Sequence, residues 1–218
     1  MIVLDQPEDK SGEFKSPEQA IRDGYNFEVF ETIGDGIELF KKDIGNFILF
    51  TLVVLAVNIG MGLIPIVGGL ASMLISPALS VGYFFVADKI RKGEAYTFNN
   101  FFDGFKGPFL QLFLLSLVSG ILIFVGTLFC IIPGIWLAIS YSLANCILIF
   151  HKFEFWDAME ASRKVIATNF WLLLGTLIVI GIAALLVTVL TCGLGLLFAT
   201  PVAILTIYVI FIKIFEVK

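Results

Sequence analysis

Seven residues in the apolar part of the chain could line a polar cavity at the middle of a membrane. Two of them are prolines that each follow a hydroxyl residue inside a long apolar run. Proline removes a backbone hydrogen bond and frees a carbonyl group for another partner. The set is Ser76, Pro77, Ser140, Tyr141, Asn145, Thr200 and Pro201. The alternative interpretation is a pair of helix kinks relieved by neighbouring hydroxyl groups or helices, and both interpretations remain open at this point.

Residues suited to acid–base or nucleophilic chemistry are missing from these apolar runs. Ionisable side chains inside a membrane usually mark ion paths or catalysis, yet residues 44–87, 107–150 and 165–212 contain no Asp, Glu, Lys or Arg. His151 lies at an edge of one run beside Lys152, which is typical of an interfacial residue. The serines of the runs have no partner base to activate them. We therefore expect no catalytic residue, and the protein is predicted not to be an enzyme.

The cysteines do not form a metal-binding pattern. Cys130, Cys146 and Cys192 lack the spacing of metal ligands, and Cys146 is interpreted as a small packing residue. Cys130 and Cys192 fall in predicted outer turns, where they would pair in an oxidising compartment or remain two separate thiols. The sequence predicts no metal site and no cofactor.

The composition is that of an integral membrane protein. Of the 218 residues 59% are hydrophobic and 15% are charged, and the mean hydropathy is +0.99. Soluble domains carry about 25% charged residues, so lipid must solvate part of this apolar surface. The net charge of −4 and the absence of a basic patch exclude a nucleic-acid partner.

The three charge-free runs predict six membrane-spanning helices. A spanning helix needs about 20 apolar residues, so each run fits two helices joined by a tight turn. Turn signals lie near the middle of each run, at residues 60–65, 130–134 and 191–195. The predicted spans are 46–64, 67–87, 108–127, 133–151, 169–190 and 195–213.

Charge is confined to one side of this arrangement. All 14 basic residues fall on the same side of the six predicted spans, and basic residues mark the cytoplasmic side of a membrane protein. The first residues lack the basic stretch and long apolar run of a signal peptide. The sequence therefore predicts a multi-pass protein of the cell membrane with both termini in the cytoplasm.

A short amphipathic segment precedes each predicted hairpin. Apolar residues at helical spacing share one face in each segment, so these segments are predicted to be interfacial helices at the membrane boundary. The expected fold is all-α, with six transmembrane helices as three hairpin repeats covering residues 33–96, 97–153 and 154–218. Residues 1–32 are interpreted as a polar tail and the start of the first amphipathic helix. The three apolar faces consist of Ile33, Ile37, Phe40 and Ile44, of Phe98, Phe101, Phe102 and Phe105, and of Phe155, Met159, Ser162 and Ile166.

Small residues recur at every fourth position in the second helix of each hairpin. Helices in lipid associate through such faces because their backbones approach closely. The even-numbered spans are therefore predicted to meet through these stripes around a pseudo-threefold axis, and the odd-numbered spans to form the lipid-facing layer. The stripes are Gly68, Ser72, Ser76 and Ser80, then Gly134, Ala138, Ser142 and Cys146, then Gly195, Ala199 and Ala203.

Residues 130–190 carry a resemblance to a known group. The stretch contains a Pro-Gly turn, a helix, and the pattern Ala-x-x-x-Ser-Arg before the next span. It resembles a poorly characterised group of bacterial six-helix membrane proteins that includes the membrane domain fused to some glycerophosphoryl diester phosphodiesterases. The matching residues are Pro133 and Gly134 in the turn and Ala158, Ser162 and Arg163 in the amphipathic helix.

The resemblance implies a location in the bacterial inner membrane and an accessory role. We expect no phosphodiesterase activity, because the chain has no soluble phosphodiesterase domain. Two functions then fit the sequence: a non-enzymatic scaffold or a lipid- or partner-binding module, and, as the alternative, a permease or pore for a neutral or lipidic solute. The expected partners are membrane lipids and another membrane protein or a second copy of the chain.

Overall fold

Each charge-free run folds into two helices joined by a short turn. An apolar run in lipid must satisfy its backbone hydrogen bonds internally, which favours helices. The computed structural model describes residues 14–64 and 67–216. Within that part of the chain, six helices are long and apolar enough to cross a membrane. The prediction of an all-helical, multi-pass membrane protein with six spans is confirmed.

The spans form three hairpins. Spans one and two are α3 and α4, span three is α5, span four consists of α6 and α7, and spans five and six are α9 and α10. The helices are α1 (Pro17–Asp23), α2 (Val29–Lys41), α3 (Ile44–Gly62), α4 (Val67–Lys92), α5 (Phe109–Phe129), α6 (Ile131–Ser140), α7 (Ala144–Phe150), α8 (Phe155–Thr168), α9 (Phe170–Leu190) and α10 (Leu196–Phe215), with a 3-10 helix at Phe98–Phe105. Pro65, in the predicted first outer turn, lies outside the described residues.

Capping residues mark where these helices begin. The Asp43 carboxylate accepts a hydrogen bond from the Asn46 amide and so caps α3. Ser16 and Gln19 form a capping box at the start of α1. At the other end of the first hairpin, basic residues in the last turn of α4 favour the negative end of the helix dipole. Polar and charged residues thus mark the ends of the apolar runs that adjoin the charged segments of the chain. We call this side of the bundle the charged end.

Span four is the one span that is interrupted within the described residues. The helices α4 and α10 continue through Pro77 and Pro201, whereas residues 141–143 separate α6 from α7. The Ser162 hydroxyl of α8 donates to the Ser140 carbonyl at 2.7 Å, and the Ala144 amide bonds the Tyr141 carbonyl instead. A side chain that takes a carbonyl from the helical ladder breaks the helix there.

The three amphipathic elements connect the hairpins. The 3-10 helix packs on α4, α8 packs on α6 and α7, and α2, which has no hairpin before it, packs on α10 of the last hairpin. Small residues permit two of these contacts. A Cβ atom on Gly36 would lie 2.5 Å from Thr206 Oγ1, and one on Gly104 would lie 2.4 Å from the Ala78 carbonyl oxygen. The chain therefore closes on itself through α2 and α10.

The even-numbered spans lie inside the odd-numbered ones. In spans two, four and six, 50%, 44% and 44% of the apolar window is buried, against 17%, 11% and 11% in spans one, three and five. This confirms the predicted inner and outer layers.

The predicted meeting of the small-residue stripes is wrong at the far end of the spans. A Cβ atom on Gly68 would lie 1.7 Å from the Met61 carbonyl oxygen of the same hairpin, and one on Gly134 would lie 2.0 Å from Thr127 Oγ1. A Cβ atom on Gly195 would lie 2.6 Å from the Val187 carbonyl oxygen, and Ala138 is exposed. Spacing placed these residues on one face but did not determine which neighbour that face meets.

Candidate functional site

Burial divides the spans into two regions with different packing. We define the outer segments as residues 53–76, 120–138 and 180–200, which surround the three outer turns, and the inner segments as the remaining parts of the spans. Among the described outer-segment residues, the buried ones are Gly68, Gly134 and Gly195, which all pack within their own hairpin. The contacts that bury residues between hairpins therefore come from the inner segments.

An aromatic cluster fills the inner segment of the first hairpin. The rings of Phe50 and Phe101 stack with their centroids 4.4 Å apart, and Phe47 meets Phe101 edge-on at 5.6 Å. Tyr83 packs on Phe50 at 4.9 Å, and its hydroxyl lies 2.9 Å from the Thr51 hydroxyl. All of these side chains are buried. Close ring packing with a satisfied hydroxyl closes this side of the bundle.

A short N-terminal strap, residues 14–16, covers the charged ends of α7 and α10. The Lys15 amide donates to the Phe215 carbonyl at 2.7 Å, and Phe14 forms an antiparallel bridge with Glu216. The Phe14 ring is buried, with its centroid 5.2 Å from that of Phe211 and 5.7 Å from that of Phe150. The strap thus adds the Phe14 ring to the buried aromatic side chains of the inner segments.

A hydrogen-bonded cluster joins α4 to α10 beneath this strap. The buried Tyr208 hydroxyl donates to Asp88 Oδ1 at 2.8 Å and accepts from Arg91 Nε at 3.1 Å. The Arg91 guanidinium also pairs with Asp88 and with Glu216, at 3.1 Å and 2.8 Å. Because these charges are paired and hydrogen-bonded, the cluster stabilises the contact between the two even-numbered spans.

Helix α10 packs along α2 over most of its length. Phe198, in the first turn of α10, contacts Phe40 with the ring centroids 6.2 Å apart. At the other end of α10, Lys213 pairs with Glu31 at 3.1 Å. The outer end of span six thus lies beside the last residues of α2, shortly before span one begins at Ile44.

Five of the seven predicted cavity residues lie at the boundary between inner and outer segments. Pro77 and Pro201 are buried and lie where α4 and α10 pass from the outer to the inner segments. Ser140 is buried near the same boundary in span four. Ser76 and Thr200, one residue before each proline, are half-buried. They lie where the buried inner segments give way to the more exposed outer segments.

The other two predicted cavity residues flank the break in span four. Tyr141 belongs to the break and is half-buried, and Asn145 lies in the first turn of α7. Among the described residues, the buried Asn145 Oδ1 atom has no hydrogen-bond partner. Neither of the two main cavities of the described chain is lined by any of the seven residues, so a shared mid-membrane cavity stays a prediction.

Both of these cavities lie at the charged end. One, of about 770 Å³, is lined by residues 26–31 and the last turns of α10. The other, of about 320 Å³, lies between α2, Arg91 and Tyr208. Ile212, Lys213 and Glu216 line both cavities, so the two adjoin.

The histidine and the cysteines occupy contrasting environments. His151 is buried within the protein, with Nε2 3.0 Å from the Lys15 carbonyl oxygen, and its predicted location at the membrane interface stays a prediction. Cys130 and Cys192 are exposed and separate, and Cys146 is buried as a packing residue. Within residues 14–64 and 67–216, no three His, Cys, Asp or Glu side chains are placed to hold a metal ion.

Tyr25 anchors the segment between α1 and α2 to α8. Burial raises the pKa of Tyr25 to about 12, so its hydroxyl stays protonated and donates to the Val165 carbonyl at 3.2 Å. The side-chain amide nitrogen Nδ2 of Asn169 donates to the Tyr25 backbone carbonyl, also at 3.2 Å. The segment is therefore held at both the side chain and the backbone.

Sequence reasoning missed the strap, the cluster around Arg91 and the contact between Ser162 and Ser140. Each joins residues far apart in the chain. One signal was present: Tyr208 is a hydroxyl-bearing ring in a charge-free run close to Lys213, and a buried tyrosine hydroxyl usually finds a polar partner.

Comparisons with protein-family models, with curated proteins and with solved structures found no match for this chain.

Proposed function

We propose that this protein is a non-enzymatic membrane module that holds lipid chains between its three hairpins. The single observation that carries the proposal is the distribution of burial. The inner segments contain large buried rings, whereas the buried outer-segment residues are three glycines that each lie against their own hairpin. In lipid, the hydrophobic effect favours neither contact nor separation of helices. We therefore expect lipid chains to fill the space between the outer segments of the hairpins.

The chemistry of the gap supports a lipid as its occupant. The outer segments carry no Asp, Glu, Lys or Arg, and their exposed side chains are mostly Leu, Ile, Val and Phe. Water or an ionic solute would leave these side chains in contact with a polar medium, at a cost of about 25 cal/mol per Å² of apolar surface. Acyl chains meet the same surface at no such cost.

We further propose that the three hairpins are repeats of one unit, with both termini in the cytoplasm. The equivalent glycines Gly68, Gly134 and Gly195 support the repeat, because each lies at the same close contact within its hairpin. The amphipathic elements before the hairpins are proposed to be interfacial. Labelling with a membrane-impermeant maleimide tests the topology: native Cys130 and Cys192 should react from outside, and Gly93→Cys should not.

The resemblance to the bacterial group that includes phosphodiesterase-fused membrane domains remains part of this proposal. In the structure, Ser162 of the matching pattern holds the break in span four open, and Ala158 is buried. Both positions therefore have a packing role, which fits an accessory module of the inner membrane better than a catalytic one.

Photo-crosslinking with lipid tests the proposal directly. The protein would be placed in nanodiscs that contain a phospholipid with a diazirine in its acyl chain, and labelled peptides would be mapped by mass spectrometry. We expect label on Ala138, Ala199 and Ser72 of the even-numbered spans, and none on the buried Ala144, which serves as the control. Label confined to the odd-numbered spans would contradict the proposal.

The second candidate is a permease for a neutral or lipidic solute. One observation favours it: the outer segments are open while the strap at Phe14 closes the charged end through main-chain hydrogen bonds. A permease that is open to one side would have this shape. Flux of glycerol into proteoliposomes that rises when Phe14→Ala loosens the strap would support this candidate over the first.

A further inference from the structure

The two adjoining cavities at the charged end form one groove along the last turns of α10. They share Ile212, Lys213 and Glu216 on α10 and its C-terminal neighbour. The opposite wall is α2 and the residues that precede it. Both α2 and these residues lie outside the six spans, so the groove opens at the charged end of the bundle.

Carboxylates outnumber cationic groups in this groove. Its five carboxylates belong to Glu28, Glu31, Asp35, Glu38 and Glu216, and its three cationic groups to Lys42, Arg91 and Lys213. Lys213 is held by Glu31 and Asp35 at 3.1 Å and 2.7 Å, and Arg91 by Asp88 and Glu216. Among the described residues, Glu28 and Glu38 form no ion pair and are exposed. Lys42 also forms no ion pair among the described residues, so the lining as a whole carries a net negative charge.

An exposed aromatic ring lies between these acidic positions. Phe30 is 78% exposed although it lines the larger cavity, and Glu28 and Glu31 flank it in the sequence. An anionic membrane surface attracts basic segments and repels such carboxylates, which argues against a lipid headgroup region as the partner of Phe30. Apolar residues, Phe27, Val29 and Ile212, line the groove next to it.

We propose that this groove binds a basic amphipathic segment of a partner protein. Lysine or arginine side chains of that segment would pair with Glu28 and Glu38, and its apolar face would cover Phe30 and Ile212. Charge complementarity excludes the chain's own first 13 residues as the occupant, because they contain four acidic residues and one lysine. The inference goes beyond the proposed lipid-holding role, since the groove and the outer segments lie at opposite ends of the spans.

The proposal can be tested with a designed peptide. A fluorescent peptide with lysine on one helical face and leucine on the other would be titrated against the full-length protein in phosphatidylcholine nanodiscs. Empty nanodiscs give the background, and a peptide with glutamate in place of lysine is the charge control. We expect saturable binding of the lysine peptide, at least about tenfold tighter than the glutamate peptide, and weaker binding at higher salt.

Matched variants locate the site. Glu28→Lys combined with Glu38→Lys should weaken binding at least about tenfold, and Phe30→Ala should weaken it several-fold. Glu18→Lys combined with Asp157→Lys makes the same change in net charge on exposed residues outside the groove, and it should leave affinity within about twofold. Equal weakening by the two double variants, or binding of the glutamate peptide as tight as that of the lysine peptide, would overturn the proposal, while failure of lipid crosslinking at the outer segments would leave it standing.

Discussion

The inner and outer segments of the same helices are held together by different means. Inner segments meet across hairpins through large rings, such as Phe150 against Phe211, and through buried hydroxyl groups such as that of Tyr208, which donates to Asp88. Outer segments are packed within each hairpin at a glycine. Both regions are mainly apolar, and the ion pairs of the inner segments lie in the last turns of α4 and α10, so apolar composition alone does not decide where helices associate in lipid. Ring shape, close backbone approach and hydrogen bonds decide it.

Removing one phenylalanine ring from each region should give the largest difference. Phe50→Ala leaves a cavity among Tyr83, Phe101 and Phe102 and should lower the free energy of unfolding by about 3 kcal/mol. Phe124→Ala removes a ring that is 64% exposed, and it should cost less than about 1 kcal/mol because lipid replaces the ring's surroundings. Reversible unfolding in mixed detergent micelles measures both, and equal losses would remove the distinction between the two regions.

Glycine substitutions sharpen the comparison within the outer segments. Leucine in Gly134→Leu must displace the Thr127 backbone, and it should cost about 1–3 kcal/mol through overpacking. Gly120→Leu is the matched control, because nothing lies within 4 Å of a Cβ atom there. We expect the control to unfold like the parent in the same micelles. A destabilised Gly120→Leu variant would show that another hairpin covers this position.

The break in span four should depend on one hydroxyl group of the inner region. Ser162→Ala leaves the buried Ser140 carbonyl without its donor, which should cost about 1 kcal/mol. The Ala144 amide, now bonded to Tyr141, should exchange with deuterium more slowly if α6 and α7 then join into one helix. Ser142→Ala, which removes a hydroxyl from the break itself, is the control. Unchanged exchange and stability in Ser162→Ala would assign the break to another cause.

The smallest effect concerns the surface of α8. The Arg163 guanidinium, which hydrogen-bonds Glu160 at 2.7 Å, lowers the pKa of that carboxyl group below its ordinary value. A lowered folded-state pKa contributes stability above the unfolded-state value, and this contribution disappears as the pH falls below about 4. Because the pair is partly exposed, we expect less than about 1 kcal/mol. Stability profiles of the parent and Glu160→Gln should converge at low pH, and parallel profiles would refute the assignment.

The positions of the helices were predictable because charge ends each run. The predicted span 169–190 is observed as Phe170–Leu190, and the predicted span 133–151 is observed as Ile131–Phe150. The amphipathic segment after Thr97 is also helical, with Thr97 and Asn100 in a capping box. Such boundaries depend on residues that are close together in the sequence, so a single sequence is enough to predict them.

The association of the helices was less predictable, because it depends on partners distant in the chain. The hydroxyl of Ser162 reaches a carbonyl 22 residues away, and the strap at Lys15 bonds Phe215 at the other end of the chain. The seven predicted cavity residues were chosen from proline and polar side chains, and five of them lie at the boundary between the inner and outer segments. Their spacing alone did not show that burial changes at this boundary.

Distances between spin labels test the central claim most directly. Cys146→Ala leaves the two exposed outer-turn cysteines, Cys130 and Cys192, for labelling. A second variant without native cysteines carries Gly107→Cys and Thr168→Cys, just before α5 and α9. Pulsed electron resonance in nanodiscs should give a longer mean distance for the outer pair than for the inner pair, because the proposed lipid chains between the hairpins would separate their outer segments. An outer distance equal to or shorter than the inner one, or a Cys130–Cys192 disulfide formed on mild oxidation, would contradict the account.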